Sequence, residues 1–243
     1  MRNICFLCYI RDMKRFLFTA FLISLFALSC GRRETPITEV PNWKRAEGII
    51  AEHHGEWSRE FESFGLDAAF CEALVFPELM RYSPATDLFE RTANSALYVH
   101  GGTAATNFSI LFFQMKPSFA EEMEAAWMKS PLKDSFGLSF PLSDSESARK
   151  ERIERLSDDI WQCRYLSMFL LLLYDREKGL IELPPEEQLC LAATAYNNKF
   201  DADIDELRRR STFKGFRFGG AGIPQTMEYS YSEISLLRWS SAK

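Results

Sequence analysis

The chain has 243 residues, which is enough for one ordinary domain with a tail. Hydrophobic residues make up 47 % of the sequence and charged residues 26 %, a composition typical of a globular protein. The net charge is −5 and the pI is about 5.4. This balance argues against a nucleic-acid partner, because nucleic-acid-binding proteins normally present a basic face.

The first thirty residues have the pattern of an export signal. Lys14 and Arg15 precede an apolar run over residues 16–28, and Ser29 and Cys30 follow it. A basic start, a short apolar run and a small residue before the cleavage site form a secretory signal. The run is shorter than the roughly 20 apolar residues of a membrane-spanning helix. The sequence therefore predicts a cleaved leader over residues 1–29.

The end of this leader, Ala-Leu-Ser-Cys at residues 27–30, resembles a bacterial lipobox. That resemblance implies that Cys30 is acylated, becomes the mature N-terminus and anchors the protein to a membrane. The alternative is an ordinary signal peptide with an incidental cysteine. Gly31 stands where an Asp would resemble an inner-membrane retention signal, so analogy favours the outer membrane, with the protein facing the periplasm. We expect a polar tether over residues 30–45 and one domain over residues 46–243.

Apolar residues then recur at helical spacing through the rest of the chain. The pattern predicts helices over residues 46–64, 66–81, 87–99, 119–128, 146–173, 186–197 and 229–239. Gly101 and Gly102 are expected to end the third helix, and residues 131–145 to form a loop. No alternating strand pattern of any length is present. The predicted class is mainly α, at most with a short hairpin.

The first segment with possible chemistry is residues 73–83, where Glu78 ends an apolar helix just before a loop. Burial against apolar residues disfavours the charged form of a carboxyl group and raises its pKa. A glutamic acid that stays protonated near neutral pH can act as a general acid. The alternative is a solvated glutamate at the end of a helix.

Two later segments carry polar residues at the ends of apolar runs. In residues 107–117, Gln114 and Met115 follow an apolar run and precede Pro117. In residues 189–200, small residues form a helix that ends at Tyr196 and Asn197. The structural alternatives are a core segment with one satisfied polar group and a helix with an ordinary Asn terminus.

Taken in order, these segments resemble the motifs of the lytic transglycosylases, the family similar to goose-type lysozyme. Residues 73–83 resemble A-I-x-x-Q-E-S-x-F, with Glu78 on the Glu. Residues 110–117 resemble G-L-M-Q-x-M-P, with Gln114 on the Gln. Residues 195–197 match the start of A-Y-N-A-G. Residues 225–229 are similar to E-T-x-x-Y, which places Tyr229 on the final Tyr, with Tyr231 as a rival.

The resemblance implies a lysozyme-like helical domain with a cleft that binds peptidoglycan glycan strands and needs no cofactor. Glu78 is then the catalytic acid and base, and a 1,6-anhydro-muramyl product forms on cleavage of the bond between N-acetylmuramic acid and N-acetylglucosamine. The residues implied to bind substrate are Gln114, Met115, Tyr196, Asn197 and Tyr229.

The sequence also departs from the family motifs. Leu79 replaces the Ser after the Glu, Leu111 stands where a Gly is expected, and residues 198–199 are Asn-Lys instead of Ala-Gly. The alternative function is a non-catalytic peptidoglycan-binding or structural envelope lipoprotein. A hydrolytic variant would need a second carboxylate, for which Asp87 and Glu90 are candidates; otherwise they are charges on a helix surface.

His53 and His54, with Glu52 and Glu56 nearby, raise the question of a metal site. The sequence has no H-E-x-x-H pattern, and adjacent side chains diverge on a helix. We therefore expect no metal there.

Overall fold

A computed structural model describes residues 36–217 and 229–242. The predicted leader and the predicted lipid site at Cys30 lie outside these residues. The described part is mainly α-helical and contains isolated β-bridges but no strand. Its α-helices are α1 (Pro41–Ser63), α2 (Ala68–Arg81), α3 (Pro84–Ala105), α4 (Pro117–Lys129), α5 (Leu132–Phe136), α6 (Glu146–Leu156), α7 (Asp159–Arg176), α8 (Pro185–Asn197), α9 (Ile204–Ser211) and α10 (Tyr231–Ser241). Short 3-10 helices cover Ile37–Glu39 and Lys178–Glu182.

The packed structure begins before the predicted domain start at residue 46. Ile37, Val40 and Trp43 are buried in the core. The Trp43 ring meets Phe76 with 4.6 Å between centroids, and Asn42 donates a 2.8 Å hydrogen bond to the Met80 carbonyl. Residues 37–45, predicted as tether, therefore belong to the domain, because their large apolar side chains pack against α2.

The predicted helix over residues 146–173 is two helices, α6 and α7. The Asp158 side chain accepts a 2.9 Å hydrogen bond from the Trp161 amide and caps the start of α7. A capping Asp satisfies one of the amide groups that a new helix leaves unpaired. The prediction of one continuous helix is therefore wrong, because a cap interrupts the apolar pattern.

Helix α3 is interrupted where the sequence predicts a break. Its range to Ala105 joins two helical segments across Gly102, whose non-helical φ of +65° is a conformation that glycine adopts readily. Buried Arg149 donates to the carbonyls of Val99 (2.7 Å) and His100 (3.1 Å) just before Gly102. Gly102 therefore ends the first helical segment, as predicted, and a short second segment follows it to Ala105.

Helix α2 is the centre of the fold. It packs between α1 and α10 and also contacts α8. Every residue from Phe70 to Met80 is buried, and the helix continues past Pro77 to Arg81. Its last turn therefore stands on a rigid, fully packed base, and this turn carries Glu78.

A buried ionic cluster joins α4, α6 and α7 on another side of the domain. The carboxylate of Glu124 accepts hydrogen bonds from Arg152 (2.9 and 2.7 Å), Arg155 (2.9 Å) and the Tyr165 hydroxyl (2.5 Å). A buried carboxylate is tolerated where charged and hydrogen-bonding partners surround it.

Of the helices that the structure describes, none is both long and apolar enough to cross a membrane.

Candidate active site

Segments that are distant in the sequence meet at one cleft of about 600 Å³. It is bordered by the end of α2, residues 107–118, α4 and the end of α8. Five predicted site residues line it: Glu78, Gln114, Met115, Tyr196 and Asn197. Tyr229 is not among the described residues that line the cleft. The structure thus brings together five of the six residues that the sequence predicts to bind or act on substrate.

Glu78 is a largely buried carboxyl group at the edge of this cleft, with 7 % of its surface exposed. Burial raises the pKa of Glu78, because the charged form loses its water. Arg81 opposes this effect most strongly, followed by Lys116 and Tyr231, each of which lowers the pKa. Burial outweighs them, and the pKa of Glu78 stays above its ordinary value.

Arg81 is the nearest charged partner of Glu78, and the sequence patterns do not single it out. Its Nη1 donates to Glu78 Oε1 at 2.9 Å and to Asn197 Oδ1 at 3.3 Å. Its Nε donates to the carbonyl of Arg217 at 3.3 Å, and the guanidinium lies 4.1 Å from the Phe216 ring centroid. The three-residue spacing from Glu78 on one helix was the available signal, since such residues are neighbours on a helix surface.

Gln114 and Met115 belong to a tight turn that spans residues 110–115. The Ile110 amide donates to the Met115 carbonyl at 3.0 Å, and Gln114 Nε2 donates to the Leu111 carbonyl at 2.6 Å. Leu111 and Gln114 have φ of +56° and +50°. Left-handed backbone costs a non-glycine residue about 1–2 kcal/mol. Leu111 stands where the resembled motif has Gly, the residue that adopts this conformation without strain.

Three helices hold this strained turn. Asp87 of α3 accepts a 2.6 Å hydrogen bond from the Leu111 amide. Fully buried Gln162 of α7 accepts from the Phe113 amide at 2.9 Å and donates to the Ile110 carbonyl at 2.7 Å. The Tyr196 hydroxyl of α8 donates to the Phe113 carbonyl at 2.8 Å. A strained backbone conformation persists where several surrounding contacts hold it in place, and these hydrogen bonds hold the turn here.

Tyr196 and Asn197 therefore have different surroundings. The Tyr196 ring is wedged against Phe119 and Phe169, with centroid distances of 5.4 Å to both, and its hydroxyl is engaged by the turn. Burial, and then the charge of Glu78, raise the pKa of Tyr196 well above its usual range. Asn197 is exposed and accepts a hydrogen bond from Arg81. Tyr196 positions the turn, while Asn197 faces the cleft.

Tyr231, the rival of Tyr229, is the tyrosine beside Glu78. Tyr229 instead forms a backbone bridge, in which the Phe216 amide donates to its carbonyl at 3.0 Å. The Tyr231 hydroxyl lies near enough to lower the pKa of Glu78, yet it makes no hydrogen bond of ordinary geometry within the described residues. Residues 225–228 of the predicted motif lie outside the described part of the chain.

The departures from the family motifs have different consequences. Leu79 is fully buried in the core, so this substitution changes packing and does not place a new group in the cleft. Asn198 donates to the Thr194 carbonyl at 3.0 Å and helps to end α8. Lys199 lines the cleft and adds a cation there.

The carboxylates proposed for a hydrolytic variant lie elsewhere. Asp87 is buried, is bonded to the Leu111 amide and lies 3.3 Å from Arg91. Neither Asp87 nor Glu90 is among the described residues of the cleft wall. Glu122 and Asp201 do line it, and burial, followed by the charge of Asp201, raises the pKa of Glu122. The sequence patterns did not single out Glu122 or Asp201 as acidic residues of the cleft.

The histidines considered for a metal site pair with carboxylates. His53 lies 2.9 Å from Asp159, and His54 lies 2.7 Å from Glu72. Within residues 36–217 and 229–242, His, Cys, Asp and Glu side chains form no group of three or more that could hold a metal ion.

Comparison with known proteins adds no relative: no family model, curated protein or solved structure matches this chain.

Proposed function

We propose that this helical domain has a lysozyme-like fold and cleaves peptidoglycan as a lytic transglycosylase, with Glu78 as its catalytic residue. One observation carries the proposal: Glu78, Gln114, Met115, Tyr196 and Asn197, named from three separate motifs, line the same cleft. A buried carboxyl group with a raised pKa in a cleft is a recognised mark of acid–base catalysis. The leader predicted from the sequence supports a lipid anchor at Cys30 in the cell envelope, at the outer membrane by analogy.

The proposed reaction uses a single carboxyl group. Protonated Glu78 donates its proton to the glycosidic oxygen between N-acetylmuramic acid and N-acetylglucosamine, and the C1–O bond breaks with its electron pair going to that oxygen. The Glu78 carboxylate then takes the proton of the muramic C6 hydroxyl, whose oxygen bonds to C1. The product is a 1,6-anhydro sugar, and no water is consumed. The acetamido group of the substrate stabilises C1, which departs from the usual two-carboxylate scheme.

The electrostatic surroundings of Glu78 suit a group that must act first as acid and then as base. Burial favours its protonated form, and Arg81 and Lys116 favour its carboxylate. A catalytic group works best when its pKa lies near the working pH, because both forms are then accessible. Opposing influences of this kind bring the pKa of a glutamic acid toward that range.

A second candidate function is peptidoglycan binding without turnover. The 2.9 Å ion pair with Arg81 favours it, because the pair satisfies Glu78 as a carboxylate and opposes protonation. Asn197 and Lys199 would still offer polar contacts to a glycan. The two candidates differ in one measurable respect, which is the formation of product.

The test is digestion of purified sacculi by the full-length protein, followed by mass spectrometry of the released muropeptides. We expect anhydro-muropeptides from the wild type and from the control Glu90→Gln, whose position is outside the described cleft wall, and none from Glu78→Gln. Muropeptides with reducing ends would indicate a hydrolase instead. Binding to sacculi without any product would favour the second candidate, and neither binding nor product would refute both.

A further inference from the structure

We propose that Arg81 is a latch on Glu78: it pairs with this carboxylate in the structure and releases it when a carboxylate carried by the bound glycan takes its place. The proposal rests on the proposed function for the chemical class of the ligand, an anionic amino-sugar glycan. It gives Arg81, which is not one of the predicted site residues, a role in specificity and regulation.

The contact between Arg81 and Glu78 is local and easily exchanged. Both residues lie in the last turn of α2, three positions apart, so the pair breaks by rotation of a side chain without any movement of the backbone. Arg81 Nη1 already divides its hydrogen bonds between Glu78 at 2.9 Å and Asn197 at 3.3 Å. The side chain of Arg81 is 29 % exposed, so a ligand in the cleft can reach it.

The guanidinium also has supports that do not involve Glu78. It lies 4.1 Å from the Phe216 ring centroid and 5.7 Å from that of Tyr231, and its Nε donates to the Arg217 carbonyl. Cation–π contacts hold an arginine in place without using its N–H donors. The bonds from Arg81 to described residues use Nε and Nη1. A guanidinium is a planar fork that binds carboxylates well, often through two parallel hydrogen bonds.

Release of Arg81 changes the balance at Glu78. The groups that face this carboxyl are Arg81 on its own helix, Lys116 before α4, Tyr196 on α8 and Tyr231 on α10. Arg81 exerts the strongest influence among those that lower the pKa of Glu78. When a ligand carboxylate neutralises the charge of Arg81, burial raises the pKa of Glu78 with less opposition, and Glu78 takes up a proton. Anion binding and protonation then favour each other, as linkage between two sites requires.

The experiment follows the carboxyl carbon of Glu78 by NMR in full-length protein labelled with ¹³C at glutamate Cδ, with Glu78→Gln to assign the resonance. The probe is the disaccharide GlcNAc-MurNAc, which carries a carboxylate but lacks the bond that the enzyme would cut. Its lactyl methylamide is the matched neutral ligand. We expect the carboxylate probe to raise the titration midpoint of Glu78 by about one pH unit or more, and the amide to leave it unchanged.

Variants at Arg81 complete the test. Arg81→Gln should have a raised midpoint without any ligand, show no further change with the carboxylate probe and bind that probe about tenfold more weakly, which corresponds to about 1.4 kcal/mol. Arg81→Lys should restore part of the response, because it keeps the charge. The proposal fails if the probe leaves the wild-type midpoint unmoved or if Arg81→Gln binds probe and amide like the wild type. If the probe raises the Glu78 midpoint but the protein does not digest sacculi, only the enzymatic proposal is refuted. If the protein digests sacculi but the probe leaves the Glu78 midpoint unchanged, only the latch is refuted.

Discussion

The turn that carries Gln114 and Met115 depends on one buried amide, and we expect Gln162→Met to destabilise the protein strongly. Gln162 is fully buried and makes three hydrogen bonds with main-chain groups. It accepts from the Phe113 amide at 2.9 Å and donates to the carbonyls of Ile110 at 2.7 Å and Leu156 at 2.9 Å. Methionine has a similar length and fills the space, but it offers none of these bonds.

The size of the effect follows from the partners that the substitution leaves unpaired. Each buried group that loses its hydrogen bond costs about 1–3 kcal/mol, so three such groups cost roughly 3–6 kcal/mol once partial relaxation is allowed for. This is a large part of the about 5–15 kcal/mol that stabilises a typical domain. For a domain of this size, about 1 kcal/mol lowers Tm by roughly 2–4 °C, so we expect Tm to fall by roughly 6–24 °C.

Urea denaturation monitored by tryptophan fluorescence measures this cost, with Gln188→Met as the matched control. Gln188 also donates to two carbonyls, those of Ile181 (3.2 Å) and Leu183 (2.7 Å), but it is only half-buried. Water can replace its bonds, so we expect a loss of at most about 1 kcal/mol. Equal losses in the two variants would refute the view that Gln162 fixes the turn. Gln162→Met should also weaken binding to sacculi at temperatures where it is still folded.

Three further changes test other parts of the structure. Leu111→Gly should be more stable to heat than Leu111→Ala by about 0.5–1 kcal/mol, because only glycine relieves the positive φ. Glu124→Gln should lower the unfolding free energy by about 3–5 kcal/mol, because it leaves buried arginines without a counter-charge. Glu121→Gln, a partly exposed residue 3.5 Å from Arg152, should lower it by under about 1 kcal/mol. Glu78→Gln should gain thermal stability relative to wild type as the pH rises above the ordinary Glu value, because the raised pKa of Glu78 means that the folded wild type loses stability when the proton leaves.

The sequence contains enough information to predict the surroundings of Glu78. The apolar run before it predicts a buried helix, and the helix α2 confirms both its position and its burial. The mainly α-helical class is confirmed as well, because apolar residues recur at helical spacing in the segments predicted to be helices. The packed part of the chain starts before residue 46, because Ile37, Val40 and Trp43 reach the core although polar residues surround them in the sequence.

The contacts that shape the cleft have no periodic signal. Gln162 lies 49 residues from Phe113 in the sequence, and its polar side chain sits within an apolar helix. The left-handed backbone at Leu111 and Gln114 occurs without any glycine, so local propensity predicts another conformation. Here tertiary hydrogen bonds override propensity, and only the folded chain shows which residues supply them.

Placement in the cleft and chemical role are separate properties of the motif residues. Gln114 and Tyr196 line the cleft, but the Gln114 amide nitrogen and the Tyr196 hydroxyl bond to main-chain carbonyls of the turn. Their contribution is therefore to fix the wall against which a sugar would rest. Glu78, Arg81 and Asn197 differ from them, because Arg81 donates to the other two side chains and these contacts can be exchanged for contacts with a ligand. In the proposed latch, a ligand competes with these two bonds, so we expect ligand affinity and the protonation of Glu78 to change together.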